Sequence, residues 1–285
     1  MKYESIIRAF CNEDWAILPT KYAEIAAFLE IKCAGGDIKF DAEYKRPIAN
    51  VKGDLAVIPI HGTIVPRANM FSKTSGVISA EEIADMVRAA TSDSGVGSLL
   101  LDINSGGGAV AMIREAAMSI LEARAAGKKV VAIANHLAAS AAYWLMAMAD
   151  EKVITHSGQV GSIGIIAQHT DQSKADEQDG YKTTLITSSK YKAEGNQFEQ
   201  LGDEARAEIQ RRVDQIHATF VADIAKGYGI STAKVNADFG QGRVFGAEEA
   251  KERGMVTRIE TKESVIARLT GAKAAADLAR RRMAV

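Results

Sequence analysis

Cysteine is scarce. The 285 residues contain two, Cys11 and Cys33, without the paired spacing of a zinc or redox site. A disulfide scaffold is excluded, and a reducing compartment is implied. Long apolar runs are missing too: no window approaches the roughly 18 residues of a membrane span. Charges within Met1–Phe10 break up any signal-peptide core. Charge of one sign is also lacking, because the net charge is −1 and lysine and arginine are scattered. That leaves no patch for nucleic acid or an anionic membrane. Internal repeats and low-complexity linkers are absent. A hydrophobic fraction of 47% is enough to bury a full core, so the sequence reads as a soluble, cytoplasmic, globular protein.

Residues 1–50 hold two modest helical patterns, around Glu4–Cys11 and Lys21–Lys32, and read as a helical N-terminal arm. From Asp54 the pattern becomes that of a folded domain, taken as 51–270, with an exposed tail over 271–285. Leu55–Ile60, Ser98–Ile103, Lys129–Ile133 and Lys152–Thr155 are short apolar runs that predict strands, and Pro59 suggests an edge or a bulge. Between them lie helical stretches at 80–92, opened by the capping box Ser79-Ala80-Glu81-Glu82, at 109–126, closed by Gly127, and at 141–149. This β-α-β alternation predicts an α/β fold with a mainly parallel sheet under covering helices. The continuous apolar strands agree, since both faces of such a sheet are buried. Further on, Thr183–Thr187 is a candidate strand, and Asp203–Lys226 a long amphipathic helix with Ile209, Val213, Ile216, Phe220 and Ile224 on one stripe. Short helices at 247–253 and 262–269 flank a strand at Val256–Ile259.

The most informative segment is Asn135-His-Leu-Ala-Ala-Ser140-Ala-Ala-Tyr-Trp144. One serine sits among very small side chains between a strand and a helix, which permits a sharp turn. The helix start there supplies amides without intrahelical partners, able to hold a developing oxyanion. A second segment, Asn104-Ser105-Gly106-Gly107-Gly108, also leads from a strand into a helix. Its glycines permit positive φ and close backbone approach. Plain turn chemistry and a phosphate cradle are two readings, the latter unsupported because neither G-x-x-x-x-G-K-[ST] nor G-x-G-x-x-G with a later acid is present. The third is an oxyanion hole in which an amide of Gly107 or Gly108 joins that of Ala141.

A serine nucleophile needs a base. Among the histidines 61, 136, 156, 169 and 217, His136 is too local to Ser140 and His217 belongs to the long helix, so a Ser-His-Asp triad has no specific support. The alternative is a lysine whose amine, ordinarily near a pKa of about 10.4, must fall to roughly 7–8. Lys190 and Lys192, in Ser188–Gly195, are the two candidates.

Five segments in order, Asn104–Gly108, Ala139–Trp144, Gly161–Ile166, Lys190–Gly195 and Gly242–Ala250, resemble the motifs of the signal peptide peptidase A family of Ser–Lys peptidases. The resemblance covers roughly 54–260 and implies a fold of the ClpP/crotonase type. With the arm carrying Trp15-Ala16-Ile17-Leu18, the chain is most similar to the phage capsid (prohead) maturation proteases of that family, which cut scaffold and capsid proteins. The resemblance implies Ser140 as nucleophile, Lys192 rather than Lys190 as general base, and Ser162 as the hydroxyl that orients the lysine. Gly107 or Gly108 with Ala141 would form the oxyanion hole. It implies protein substrates, a homo-oligomeric ring, and neither metal nor cofactor. Two departures stand out: Gly106 replaces the family's proline, and alanines 141 and 142 replace glycines after the nucleophile. Small residues near Ser140, together with Met146 and Met148, suggest a shallow pocket for small or aliphatic side chains, the alternative being that the methionines are core. Rival readings are a host cytosolic oligopeptide peptidase, a non-catalytic assembly protein, and a crotonase-like acyl-CoA enzyme, which would not need the Ser–Lys pair.

Overall fold

The unbroken apolar runs fold into a largely parallel sheet with both faces covered. A computed structural model describes residues 13–33, 49–67 and 77–271. The chain runs β1 (Trp15–Ile17), α1 (Pro19–Cys33), β2 (Asn50–Lys52), β3 (Leu55–His61), β4 (Thr63–Val65), β5 (Val77–Ser79) and α2 (Ala80–Ser92). Next come β6 (Ser98–Ser105), β7 (Gly107–Ala109), α3 (Ile113–Ala125), β8 (Lys129–Ala139), α4 (Ala141–Ala147), β9 (Glu151–Ile154) and β10 (Gln159–Gly161). Then follow α5 (Ser173–Gln178), α6 (Asp203–Tyr228), α7 (Thr232–Asp238), β11 (Val244–Gly246), α8 (Ala247–Glu252) and β12 (Arg258–Ile259), and a last helix, α9, over 262–271.

The main sheet has the order β11-β10-β8-β6-β3-β2, with β9 beside β8 and β12 beside β9. The β3–β6, β6–β8, β8–β9, β8–β10 and β9–β12 pairs are parallel, while β2 and β11 attach antiparallel. One face packs Ile58, Ile60, Leu99, Leu101, Val130 and Ala132 against α2, α3, α4 and α6. Alternate residues on the other face, Leu55, Val57, Leu100, Val131, Ile133 and Val153, are capped by Val265, Ile266 and Leu269 of α9. A second sheet, β1-β7-β4-β5, carries the glycine turn.

Local rules account for several boundaries. Ser79 and Glu82 form the expected capping box, each side chain bonding the other's amide at 3.1 Å. Pro59 is tolerated because β2 pairs only Leu55–Val57, which leaves the rest of that side of β3 free of a strand among the described residues.

Three expectations are corrected. Thr183–Thr187 forms no strand: Leu185 is 45% and Ile186 96% exposed, so these apolar side chains have no layer to join. The helix anticipated from Ala109 begins at Ile113, because Gly107–Ala109 is drawn into the second sheet. Trp15–Ile17, assigned to a helical arm, is a buried strand paired with that segment. The pattern at Glu4–Cys11 and the tail over 272–285 lie outside the described residues.

Helix α6 anchors its C-terminal half against α4. A Cβ on Gly227 would lie 2.2 Å from the carbonyl oxygen of Ala147, so only glycine lets the two helices approach this closely. Lys152, 4% exposed, donates from Nζ to the Gly227 carbonyl at 3.0 Å and sits 4.2 Å from the centre of the Tyr228 ring. Burial, reinforced by the charge of Arg124, lowers its amine to about 8. The unfolded chain therefore binds more protons between about 8 and 10.5, and stability from this group rises with pH across that window. Below pH 8 the buried ammonium costs roughly 3 kcal/mol relative to its neutral form. Urea unfolding of the wild type and Lys152→Met should thus show a gap that moves in favour of the wild type by about that amount between pH 7.5 and 10.5. A gap constant with pH would contradict it.

Candidate active site

The last three residues of β8, Leu137–Ala139, pair with β10, and the chain then turns sharply at Ser140 into α4. Ser140 has φ 56° and ψ −119°, outside the regions open to ordinary side chains. Holding a non-glycine residue there costs of order 1–3 kcal/mol. The surroundings fix it: Ser140 N–H donates to the Gly161 carbonyl at 2.8 Å, and its own carbonyl accepts from Trp144 N–H at 2.9 Å. Ala138, Ala139, Ala141 and Ala142 are all fully buried, which explains the run of small side chains: larger ones would not fit between sheet and helix. Ser140 Oγ lies 3.5 Å from the Gly164 carbonyl. The Ala141 amide is the first of α4 and has no intrahelical acceptor.

The glycine turn lies against this elbow. Gly107 has φ 100°, and a Cβ on it would fall 2.2 Å from the Ala16 carbonyl and 3.0 Å from Ser140 Cβ. Its amide donates to Ser105 Oγ at 3.2 Å. Gly108 is embedded in the second sheet, opposite Ala16 and Ile64, with the Ile64 carbonyl 1.9 Å from any added Cβ. Gly106 is held from the other side, its carbonyl accepting Leu18 N–H at 2.9 Å.

Ser162 follows β10, a strand the sequence reading did not separate from the run at 152–155. It too has φ 56°, donates its amide to the Arg243 carbonyl at 2.7 Å and is 4% exposed. Its neighbours Gly161 and Gly164 are the residues that touch Ser140. Lys192 lies elsewhere in character, exposed on a turn closed by Lys192 N–H to the Ser189 carbonyl at 3.2 Å. No hydrogen bond joins its amine to Ser140. Lys190 is tied to Glu204 at 2.8 Å and to the Tyr191 hydroxyl at 2.9 Å, and these bonds raise its pKa. None of the histidines bonds to Ser140; His61 contacts Asp102 and His169 the Asn196 carbonyl. Among the described residues there is also no cluster of three or more metal-ligating side chains, and no helix long and apolar enough to cross a membrane.

Sequence reasoning missed the support beneath α4. Trp144 stacks on Phe220 at 4.3 Å with rings 9° from parallel, and its indole N–H donates to Asp223 Oδ2 at 3.1 Å. Asp223, 4% exposed, also pairs with Arg114 at 3.0 Å. The available signal was a lone carboxylate on the apolar stripe of α6, between Phe220 and Ile224.

A mainly parallel sheet with a strained strand-to-helix elbow at Ser140, set beside a glycine turn, defines the molecule as an α/β protein. The profile of peptidase family S49 matches residues 122–276, more than half of the chain, and the chain belongs to that family. It is 33% identical over 217 residues to the head-tail preconnector protein GP5 of Enterobacteria phage P21, covering 75% of this chain and 43% of that protein. It is 31% identical to capsid assembly protease C of Escherichia phage lambda, covering 73% and 47% of the two chains. Protease 4 of Salmonella typhi is 27% identical, covering 80% and 36%. The chain thus spans less than half the length of these relatives. Among solved structures, a ClpP1 variant from Listeria monocytogenes is similar at a TM-score of 0.44 and 16% identity, covering 73% of this chain and 92% of that one.

The Gly107 contacts make a direct prediction. Gly107→Ala should destabilise the protein by about 1–3 kcal/mol in urea unfolding, because the methyl must displace β1 or the elbow. Wild-type stability would show that the turn does not pack as described.

Proposed function

We propose that the protein is a serine endopeptidase that works through a Ser140–Lys192 dyad. The observation that carries this reading is the backbone of Ser140: a strained, fully buried elbow, with Gly107 close enough to exclude any side chain.

In the proposed mechanism the neutral amine of Lys192 takes the proton of Ser140 Oγ, and the oxygen attacks the carbonyl carbon of the scissile peptide bond. The tetrahedral oxyanion is held by the amides of Ala141 and Gly107, each such donor worth about 3–4 kcal/mol. Gly107 is favoured over Gly108 because its amide donates to the Ser105 hydroxyl, which a substrate oxygen can replace, whereas Gly108 is paired to strands on both sides. The intermediate collapses, and the departing amine takes a proton from the Lys192 ammonium. Lys192 then removes a proton from water, which attacks the acyl-enzyme and frees Ser140. Ser162 is assigned the orienting hydroxyl, on the residue between the two that contact Ser140. Lys192 is favoured over Lys190 as base because Glu204 and Tyr191 hold the Lys190 amine protonated.

Lys192 is exposed, and an amine in water is a poor base at neutral pH, because it gives up its proton readily only where water is removed. The segment carrying it also exposes Tyr181 (71%), Leu185, Ile186 and Tyr191 (57%). So many apolar side chains in water favour a surface that a second copy of the chain covers. We therefore assign a homo-oligomer, in which the neighbour desolvates this segment and supplies or receives the lysine. The name of the lambda relative, capsid assembly protease C, together with the resemblance to prohead maturation proteases, favours capsid or scaffold proteins as substrates, and with them a host-cytoplasmic site of action. The similarity to Protease 4 favours an oligopeptide peptidase as the second reading.

Fluorescein-labelled casein and a candidate capsid scaffold protein are the test substrates. Ser140→Ala and Lys192→Met should each reduce cleavage to background with the fold intact by circular dichroism, while Lys190→Met retains it. Light scattering should give a mass above one chain. Wild-type cleavage by Ser140→Ala would overturn the assignment.

A further inference from the structure

We propose that Asn135 is a positioning residue for Ser140: by bonding to the buried carboxylate of Asp102 it pins a bulge in β8 that aims the end of the strand at the elbow. The part of this inference that concerns catalysis rests on the peptidase reading.

The bulge is visible in the register. Ile103 of β6 lies opposite Ala134 of β8, but Ser105 lies opposite Ala138. While β6 advances two residues, β8 advances four, so part of Asn135–Leu137 leaves the β6 ladder. At the same place β8 changes its other neighbour: Val131–Ala134 pair with β9, and Leu137–Ala139 with β10. His136 sits within the bulge at φ 96°, a region that L side chains rarely occupy. A strained segment without ladder bonds keeps one shape only when its surroundings impose it.

Two side chains impose it. On one side Thr155 Oγ1 accepts from His136 N–H at 3.3 Å, while its own amide is tied to the Ala134 carbonyl at 3.1 Å. On the other, Asn135 Nδ2 donates to Asp102 Oδ1 at 3.2 Å. Asp102 is itself immobilised, because it is 1% exposed and its Oδ2 accepts from Lys262 Nζ at 2.6 Å and His61 Nε2 at 3.2 Å. Asp102 belongs to β6, which ends at Ser105 and leads into Gly107. One carboxylate therefore stands at the root of both arms of the site, joined directly to the glycine arm by its strand and to the serine arm through Asn135. Lys262 begins α9, so the same carboxylate also holds that helix over the sheet. Asn135 serves the elbow and Lys262 serves the helix; without Lys262, burial and the His61 contact still hold the carboxylate, which makes the two roles separable by mutation.

The experiment combines hydrogen exchange of amides 137–141 with steady-state cleavage of fluorescein-labelled casein. Asn135→Ala should raise exchange across 137–141 by about tenfold, as expected for one lost, partly buried hydrogen bond. It should lower kcat with KM unchanged. Lys262→Met should lower the melting temperature and leave both 137–141 exchange and kcat at wild-type values. Asp102→Ala should reproduce the Asn135→Ala defect, and Asp102→Asn, whose amide oxygen still accepts from Asn135, should rescue it. Wild-type exchange at 137–141 in Asn135→Ala would overturn the inference, as would faster exchange there with unchanged kcat. Retained casein cleavage by Ser140→Ala would instead reject the peptidase reading, and the exchange arm would still decide the bulge.

Discussion

The structure depends on a backbone conformation at one residue. Ser140 occupies a φ/ψ combination that nothing in its own chemistry favours, and much around it serves to make that conformation the least costly one. Its amide and carbonyl are both bonded, to Gly161 and Trp144. The alanines on either side are fully buried, so the turn cannot relax by swinging outward. The glycine turn closes the remaining side, with space for a hydrogen and none for a methyl.

Support is passed outward through a few heavier contacts. Helix α4 has only seven residues, too short to be stable alone, and it is held by α6 through the Trp144–Phe220 stack, the Asp223 bond and the backbone approach at Gly227. The bulge in β8 that leads to the elbow is held in turn by Thr155 and by the carboxylate of Asp102. By contrast, the 188–195 segment that carries Lys192 is exposed and lightly attached. Ser140 and the glycine turn are thus built into the core, while Lys192, the base of the proposed mechanism, lies exposed.

Much of the fold was legible because its strands are continuous apolar runs, its helices carry caps and stripes, and parallel βαβ units alternate. Those signals are local in sequence. The elements missed were short or depended on distant partners. Trp15–Ile17 becomes a strand only because Gly107–Ala109 lies beside it, some ninety residues later in the chain. Gln159–Gly161 has three residues and two glycine or polar positions, too little pattern to separate from a turn. Thr183–Thr187 had strand-like composition, but β-propensity reflects packing against a pleated neighbour, and no such neighbour is provided there.

The sequence alone determined that a serine would stand on a small-residue turn between strand and helix, and that glycines would permit a second close backbone approach. Steric limits at single residues dictate both, and these need no partner. Tertiary structure decided which elements meet: that the glycine turn lies against this serine, that Asp223 and Asp102 are buried with partners 33 to 160 residues away, and that Lys190 is occupied while Lys192 is not. Those outcomes depend on distances between parts of the chain well apart in sequence, and a one-dimensional pattern of side-chain types carries no such distances.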